Sequence, residues 1–374
     1  MNNIKSKIVF FIILIAVVIF AAYRTQQANK AMEEDTSSQS ISIVDIAGRE
    51  VVLDHKAEKI VDLSDLLDGI RTLVFLNEQN RLIGISEKSH SVFNSDKMYS
   101  KSYIVVKQAA PELKMAETVG LVKEPNIEKI IQLNPDVIFI DWMTKDSAER
   151  IEAQTGIPVV CVGGHGSLNF KTLKIVGKII GLESKAEELI SYADSKLKLI
   201  DDVISLIPNN KRKKLFYWSH PRIGNAPKTN GNYEAFDLAG GNNLAKDGEV
   251  IPKGLFDVSK EQIIAWNPDY IFLQSTFTEK VKGWSKVEDL KQDAVIQETN
   301  AVANDCVYAI RGEFAGWDIA TEIAEVYYIA KILYPDLFKD LNVQQSANEI
   351  LREFYGVEGL YTDMSKSIGL YEWK

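Results

Sequence analysis

Four histidines, His55, His90, His165 and His220, and two cysteines, Cys161 and Cys306, are the imidazole and thiol groups available to this chain. No two of the histidines have metal-site spacing, whereas a dedicated zinc or manganese receptor wants about three imidazoles converging with a carboxylate. No certain metal site is therefore expected, and His220 is retained only as a group that could hydrogen-bond a ligand or complete its metal shell. A P-loop, a dinucleotide fingerprint, an HExxH helix and a Gly-x-Ser-x-Gly elbow are all missing, so catalytic residues are not expected either. What remains is noncovalent recognition. Trp142, Trp218, Phe314 and Trp317 can wall a pocket, and Arg222 and Arg311 can pair bidentately with carboxylate or catecholate oxygens and stack on rings. Core packing would use the same tryptophans equally well. Gly163-Gly164-His165-Gly166 could present backbone amides to an anion, or simply turn a strand into a helix.

These groups are useful only if a scaffold brings them together, and a repeat supplies one. Asn126 to Asp141, NIEKIIQLNPDVIFID, returns as Ser259 to Gln274, SKEQIIAWNPDYIFLQ, with eight of sixteen positions identical. In each copy a cap residue opens a short helix, an acid (Glu128 or Glu261) sits in its first turn, and Asn-Pro-Asp stops it. The apolar runs that follow, Val137 to Ile140 and Tyr270 to Leu273, lack alternation, as in strands covered on both faces of a parallel sheet. Two copies so far apart exclude a solenoid and predict two related α/β lobes.

The flanking elements fit that plan. A hairpin over Ile41 to Leu53 leads into strands Lys59 to Ser64 and Arg81 to Ser86 around a helix over Leu66 to Leu76. Glu87 to Lys107 reads as a long functional loop. Helix Ser147 to Thr155 and strand Pro158 to Val162 complete the first lobe. Phe170 to Ile207 is helical with a break at Gly181, and its continuous piece from Ser184 is predicted to join the lobes. In the second lobe, strands Lys214 to Trp218 and Cys306 to Ile310 flank the second copy. A helix over Asn232 to Ala239 ends at Gly240-Gly241, and further helices cover Lys286 to Gln292, Trp317 to Leu333 and Val343 to Tyr355 before an irregular tail. The fold class predicted is α/β, two lobes each with a mainly parallel central sheet flanked by helices, joined by one long α-helix. The domains expected are 1–40 (anchor or signal plus polar tether), 41–167, a linking helix over 168–210, and 211–374.

Ligands of open α/β sheets bind beyond the carboxyl ends of strands. That rule selects Ser64, Asp65, Trp142 and His165 on the first lobe, and Trp218, His220, Arg222, Asn225, Arg311, Glu313 and Trp317 on the second. Glu128 and Glu261 lie elsewhere. A first-turn acid is stabilised by the helix dipole without any partner, yet a matched exposed pair on two lobes could also dock a pseudo-symmetric basic partner.

A net charge of -9 makes nucleic acid an unexpected partner. Ile8 to Ala22 is an uninterrupted apolar stretch flanked by Lys5, Lys7 and Arg24, without a good cleavage site after it. An uncleaved membrane anchor with the body of the chain outside the cytoplasm is expected. Cys161 and Cys306 fall in strand-like segments of different lobes and are expected to be buried free thiols.

The ordered series ISIVDIAGREVVL, KIVDLS, VGLVKEPNIEKIIQLNPDVIF, a long helix, GLFDVSKEQIIAWNPDYIF and CVYAIRGEF resembles the substrate-binding proteins of ABC importers for iron-siderophores, haem and cobalamin. The likeness runs from about Ile41 to Leu337. It implies small closure about one linking helix, a metal chelate held between the lobes as transported ligand with no cofactor, and delivery to an ABC permease and its ATPase; a monomer is expected. It further implies that Glu128 and Glu261 bind arginines on the two permease subunits. An iron-siderophore is the cargo expected first; haem, cobalamin and a metal oxyanion such as molybdate are the alternatives, and a chelate-processing enzyme or a membrane-anchored sensor stands outside the class. Two departures are visible. The first strand-to-helix loop reads Ser64-Asp65-Leu66-Leu67-Asp68 where the family usually has Ser-Pro-x-x-Thr-Glu, and no lipobox cysteine precedes the fold.

Overall fold

The computed structural model of the chain describes residues 40–95, 103–163, 168, 170–219, 226–246, 255–275, 286–313 and 318–373. The expected membrane anchor, residues 8–22, lies outside them. Among the described residues no helix is long and apolar enough to cross a membrane.

The chain enters through an antiparallel hairpin, β1 (Ile41–Val44) and β2 (Glu50–Leu53), whose alternation buries Ile41, Ile43, Val51 and Leu53. The first sheet follows: β3 (Ile60–Asp62), α1 (Asp68–Phe75), β4 (Leu82–Ile85), α2 (Glu87–Asn94) and α3 (Ile104–Ala109). A two-residue hairpin, β5 (Gly120–Leu121) and β6 (Glu124–Pro125), precedes α4 (Ile127–Leu133), β7 (Val137–Asp141), α5 (Ala148–Thr155) and β8 (Val159–Val162). Its four parallel strands lie in the order β4-β3-β7-β8. Every residue of β7 and β8 is buried, as an apolar strand between two helix layers requires.

Helices α6 (Lys171–Ile180) and α7 (Glu183–Ile204) lead to the second sheet. That lobe contains β9 (Lys213–Trp218), β10 (Lys228–Thr229), α8 (Glu234–Leu238), β11 (Gly241–Asn243), β12 (Phe256–Asp257), α9 (Lys260–Trp266) and β13 (Tyr270–Gln274). It continues with α10 (Val287–Lys291), α11 (Asn300–Ala303), β14 (Val307–Ile310) and α12 (Ile319–Leu333), and the chain ends in α13 (Val343–Tyr355) and α14 (Leu360–Ile368). The second sheet is also parallel, ordered β11-β9-β13-β14. Each Asn-Pro-Asp segment feeds its own sheet, so the chain is built from two α/β lobes.

Helix α7 spans 22 residues, about 33 Å at 1.5 Å per residue. Near its start Lys185 Nζ donates to the Leu76 carbonyl of the first lobe at 2.5 Å; farther on, the Lys196 carbonyl accepts from Tyr327 Oη of the second lobe at 2.8 Å. The helix therefore bears on both lobes.

Three expectations need correction. The described parts of the segment Glu87 to Lys107 are largely helical: the Ser86 side chain caps Ser89 N at 3.0 Å and Val92 and Phe93 are buried, so α2 forms, and α3 begins at Ile104. Gly241 does not merely end a helix; it opens edge strand β11, where a Cβ would fall 2.3 Å from Leu215 Cδ2. The tail is not irregular, because α14 buries Leu360, Tyr361, Met364 and Ile368. Its partner α13 reaches back to the first lobe: the Phe75 ring meets Phe354 at 5.1 Å and Tyr355 at 4.8 Å, edge to face. Gln108 Nε2 also donates to Asp363 Oδ2 at 3.0 Å. The lobes are thus fastened by the C-terminal helices as well as by α7.

Candidate functional site

On the first lobe the site grows from the carboxyl ends of β3 and β7. Ser64 N donates to Asp62 Oδ1 at 2.6 Å and Asp65 N to Asp141 Oδ2 at 2.5 Å, so two strand-terminal carboxylates fold the loop between β3 and α1. Leu67 takes a left-handed conformation (φ 64°) just before the helix. Asp68 begins α1, and Arg71 Nη1 reaches back to the Leu66 carbonyl at 2.7 Å and to Asp68 Oδ1 at 3.3 Å. Ser89 Oγ ties α2 to the same loop through the Ser64 carbonyl at 2.7 Å. Glycine is required at two close approaches. A Cβ on Gly69 would fall 2.1 Å from Asp62 Oδ2, and one on Gly163 2.2 Å from Asp68 Oδ2.

These carboxyls are crowded and dry. Burial raises the pKa of Asp62 to about 7, of Asp68 to about 8 and of Asp141 to about 6, with mutual repulsion adding to the effect at Asp62 and Asp68. Lys88 Nζ lies 3.3 Å from Asp65 Oδ2 at the exposed rim. Trp142 is half-buried and opens the turn after β7.

On the second lobe β14 delivers Arg311 and Gly312, whose amides donate to Glu325 Oε1 on α12 at 2.6 and 3.1 Å. Tyr233 Oη donates to the same carboxylate. The Arg311 side chain is buried, and its Nη1 donates to the Gly312 carbonyl at 3.1 Å. Glu313 Oε2 accepts from Asn230 Nδ2 at 2.6 Å, while burial lifts its pKa to about 7. Glu322 is likewise raised by burial and by its neighbour Glu325.

The two sets are linked where Arg71 Nε of the first lobe stands 3.9 Å from Asp318 Oδ2 of the second. The buried Tyr103 hydroxyl has its pKa raised by burial first, and Arg71, Asp68 and Asp141 of the first lobe act on it together with Arg311 of the second. Ser64, Asp65, Trp142, Arg311 and Glu313 all lie in loops that leave the carboxyl ends of their sheets. Trp218 does not join them: it is buried against Phe216 (centroids 6.2 Å apart) in the core beneath the second sheet, which corrects its expected place in the ligand wall. Strand alternation is the reason, since Phe216 and Trp218 share one face and Tyr217 takes the other. His165, His220, Arg222, Asn225, Phe314 and Trp317 fall outside the described residues. Sequence reading missed Arg71, Asp68 and Asp318 and reached Tyr103 only as the end of the candidate segment from Glu87; a charged residue within the largely apolar IRTLVFL over 70–76 was the available signal for the first.

Among the described residues, no group of three or more His, Cys, Asp or Glu side chains is arranged to hold a metal ion. Cys161 is a buried free thiol, whereas Cys306 is only half-buried, short of the burial expected of it. Glu128 and Glu261 sit exposed in the first turns of α4 and α9, which are capped by Asn126 (to Lys129 N, 3.0 Å) and Ser259 (to Gln262 N, 3.1 Å).

The family model of a periplasmic binding protein matches residues 87–313. The molybdate-binding protein MolA of Haemophilus influenzae is 24% identical over 353 residues, 86% of this chain and 90% of that protein. An iron-uptake system-binding protein of Bacillus subtilis is 29% identical over 197 residues, 52% of this chain and 60% of that one. A periplasmic solute binding protein from Veillonella parvula superposes with a TM-score of 0.68 at 20% identity, covering 88% of this chain and 97% of its own.

Proposed function

We propose a cargo and a delivery route from one premise: the chain belongs to the periplasmic binding protein family. Members of this kind are extracytoplasmic solute-binding components of ABC importers. They work with a permease and its ATPase, perform no catalysis and carry no cofactor of their own. The cargo we propose is a metal chelate, an iron-siderophore first, taken up in the seam between the lobes and handed on without chemistry. Arg222 and Arg311 would meet the acidic oxygens of the chelate, Trp142 and Trp317 would pack it, and Asn225 and the imidazoles of His165 and His220 would hydrogen-bond it. Residues 8–22 would tether the molecule to the membrane, and it would act as a monomer. Glu128 and Glu261 would dock on basic side chains of the two permease subunits.

The observation that carries the cargo reading is the crowding of Asp62, Asp65, Asp68 and Asp141 at one wall. Burial already pushes three of them to pKa values of about 7, 8 and 6. Near neutral pH the carboxyls of that wall that remain ionised would repel bare negative charge in a low-dielectric setting. A chelate whose metal charge is largely neutralised, or which bears an ammonium, suits the wall better than a dianion. A second reading, a metal oxyanion, is favoured by the likeness to MolA over most of both chains.

Native mass spectrometry of protein purified from its own host reports the cargo directly. Tryptophan quenching by a ferric trihydroxamate, a ferric tris-catecholate and molybdate then ranks the classes. Quenching by a ferric chelate that is lost in the Arg222→Ala, Arg311→Ala double variant is the result expected. Tight molybdate binding with neither ferric chelate bound would replace this reading with the second.

A further inference from the structure

We propose that Arg71 and Asp318 are positioning residues that set the separation of the two ligand loops. The proposal deepens the reading that cargo sits in the seam. Arg71 lies one turn into α1, directly after the loop that carries Ser64 and Asp65. Asp318 is the last residue before α12, directly after the loop that carries Arg311 and Glu313. Arg71 Nε stands 3.9 Å from Asp318 Oδ2, and the side chains are 2% and 3% exposed. One element of each lobe is therefore joined by a buried charge pair at the roots of the loops that meet the ligand.

Each partner is oriented by further contacts. The Arg71 guanidinium donates to the Leu66 carbonyl at 2.7 Å, lies 3.3 Å from Asp68 Oδ1 and sits over the Tyr103 ring with its carbon 5.2 Å from the centroid. Asp318 Oδ2 accepts from Tyr355 Oη on α13 at 2.7 Å, while Oδ1 caps Thr321 N at 3.3 Å. Because the guanidinium is a planar fork, holding the Leu66 carbonyl on one side fixes the direction in which it can meet a carboxylate on the other. Breaking the pair while its surroundings stay packed would leave each charge short of a partner in a dry setting, which is unfavourable even though Arg71 keeps Asp68 and Asp318 keeps Tyr355. The pair thus acts as a gauge: it admits one spacing of the loops, and α7 and α13 hold the lobes near that spacing.

Spin labels on Glu128→Cys and Glu261→Cys in a Cys306→Ser background, Cys161 being buried, report the distance between lobes in protein without cargo. The parent should give one narrow distribution. Arg71→Met with Asp318→Asn removes both charges and strands neither; it should broaden the distribution and shift it to longer distance. Arg71→Lys keeps charge and loses the fork, so a smaller broadening is expected, and it decides the matter should the double variant fail to fold. Thermal unfolding is followed in parallel, since a purely structural role would lower the transition temperature without changing the distances. Distributions identical to the parent in the folded variants would overturn the proposal. No ligand or permease enters this measurement, so its outcome is independent of the cargo tests above.

Discussion

Asn134 and Asn267 occupy the same place in the two repeat copies and share one backbone conformation, left-handed with φ 49° and 45°. Each donates its amide to the carbonyls three and four residues back and so closes its helix before proline. Asparagine tolerates this conformation where alanine pays about 1–2 kcal/mol. Asn134→Ala should therefore lose stability of that order in urea denaturation, while Asn134→Gly stays near the parent. Asn267→Ala should lose more, because Asn267 Oδ1 also accepts from Asn300 N at 2.8 Å. Equal, negligible losses for both alanine variants would show that the turns are not held this way.

The pKa values of Asp62, Asp68 and Asp141 are raised from 3.8 to about 7, 8 and 6. A carboxyl raised on folding binds its proton more readily in the folded chain, so the stability it leaves intact at acid pH is lost as pH rises through the folded value. Between roughly pH 4 and 8 each such group contributes a fall of up to about 1.4 kcal/mol per pH unit while it titrates. The melting temperature should be higher at pH 5.5 than at pH 8.5, and Asp68→Asn should flatten the upper part of that slope. A melting temperature that climbs steadily to pH 8.5 would contradict this account.

Gly163 has φ 85° and leaves no room for a side chain beside Asp68. Gly163→Ala combines the left-handed cost of about 1–2 kcal/mol with a clash against a buried carboxylate. It should destabilise the first lobe by more than Asn134→Ala does. Combining it with Asp68→Ser should restore part of the loss, and strict additivity in the double-mutant cycle would rule out the contact as the cause.

Charge reversal at Glu128 and Glu261 separates docking from binding. Both side chains are exposed, so Glu128→Arg and Glu261→Arg should leave stability within about 0.5 kcal/mol and chelate quenching unchanged. Stimulation of the cognate permease's ATPase in proteoliposomes should fall with either substitution and vanish with both. Full stimulation by the double variant would remove these acids from the docking surface.

Much of the scaffold was legible because its signals are local. The cap, acid and Asn-Pro-Asp of each copy, followed by an apolar run, specify helix, turn and buried strand within sixteen residues, and α4–β7 and α9–β13 form where that pattern lies. Misread elements had weak or divided signals. Helix α2 is polar apart from Val92 and Phe93, and its start depends on the single Ser86 cap. Trp218 was placed in the pocket because it ends a strand, but which side a strand residue faces depends on the packed layers above and below it. Cys306 escaped full burial for the same kind of reason, lying one residue before β14 begins.

Read alone, the chain determined its duplication, its two parallel sheets, its long connecting helix and the loops from which a ligand site had to be built, since each follows from short-range pattern and strand order. Only the tertiary structure decided that α13 and α14 return to clasp the first lobe, that four carboxyls crowd one wall, and that Arg71 meets Asp318. The clasp and the Arg71–Asp318 pair join residues more than two hundred positions apart, and neither propensity nor periodicity carries information about which buried charge a folded chain will set against another.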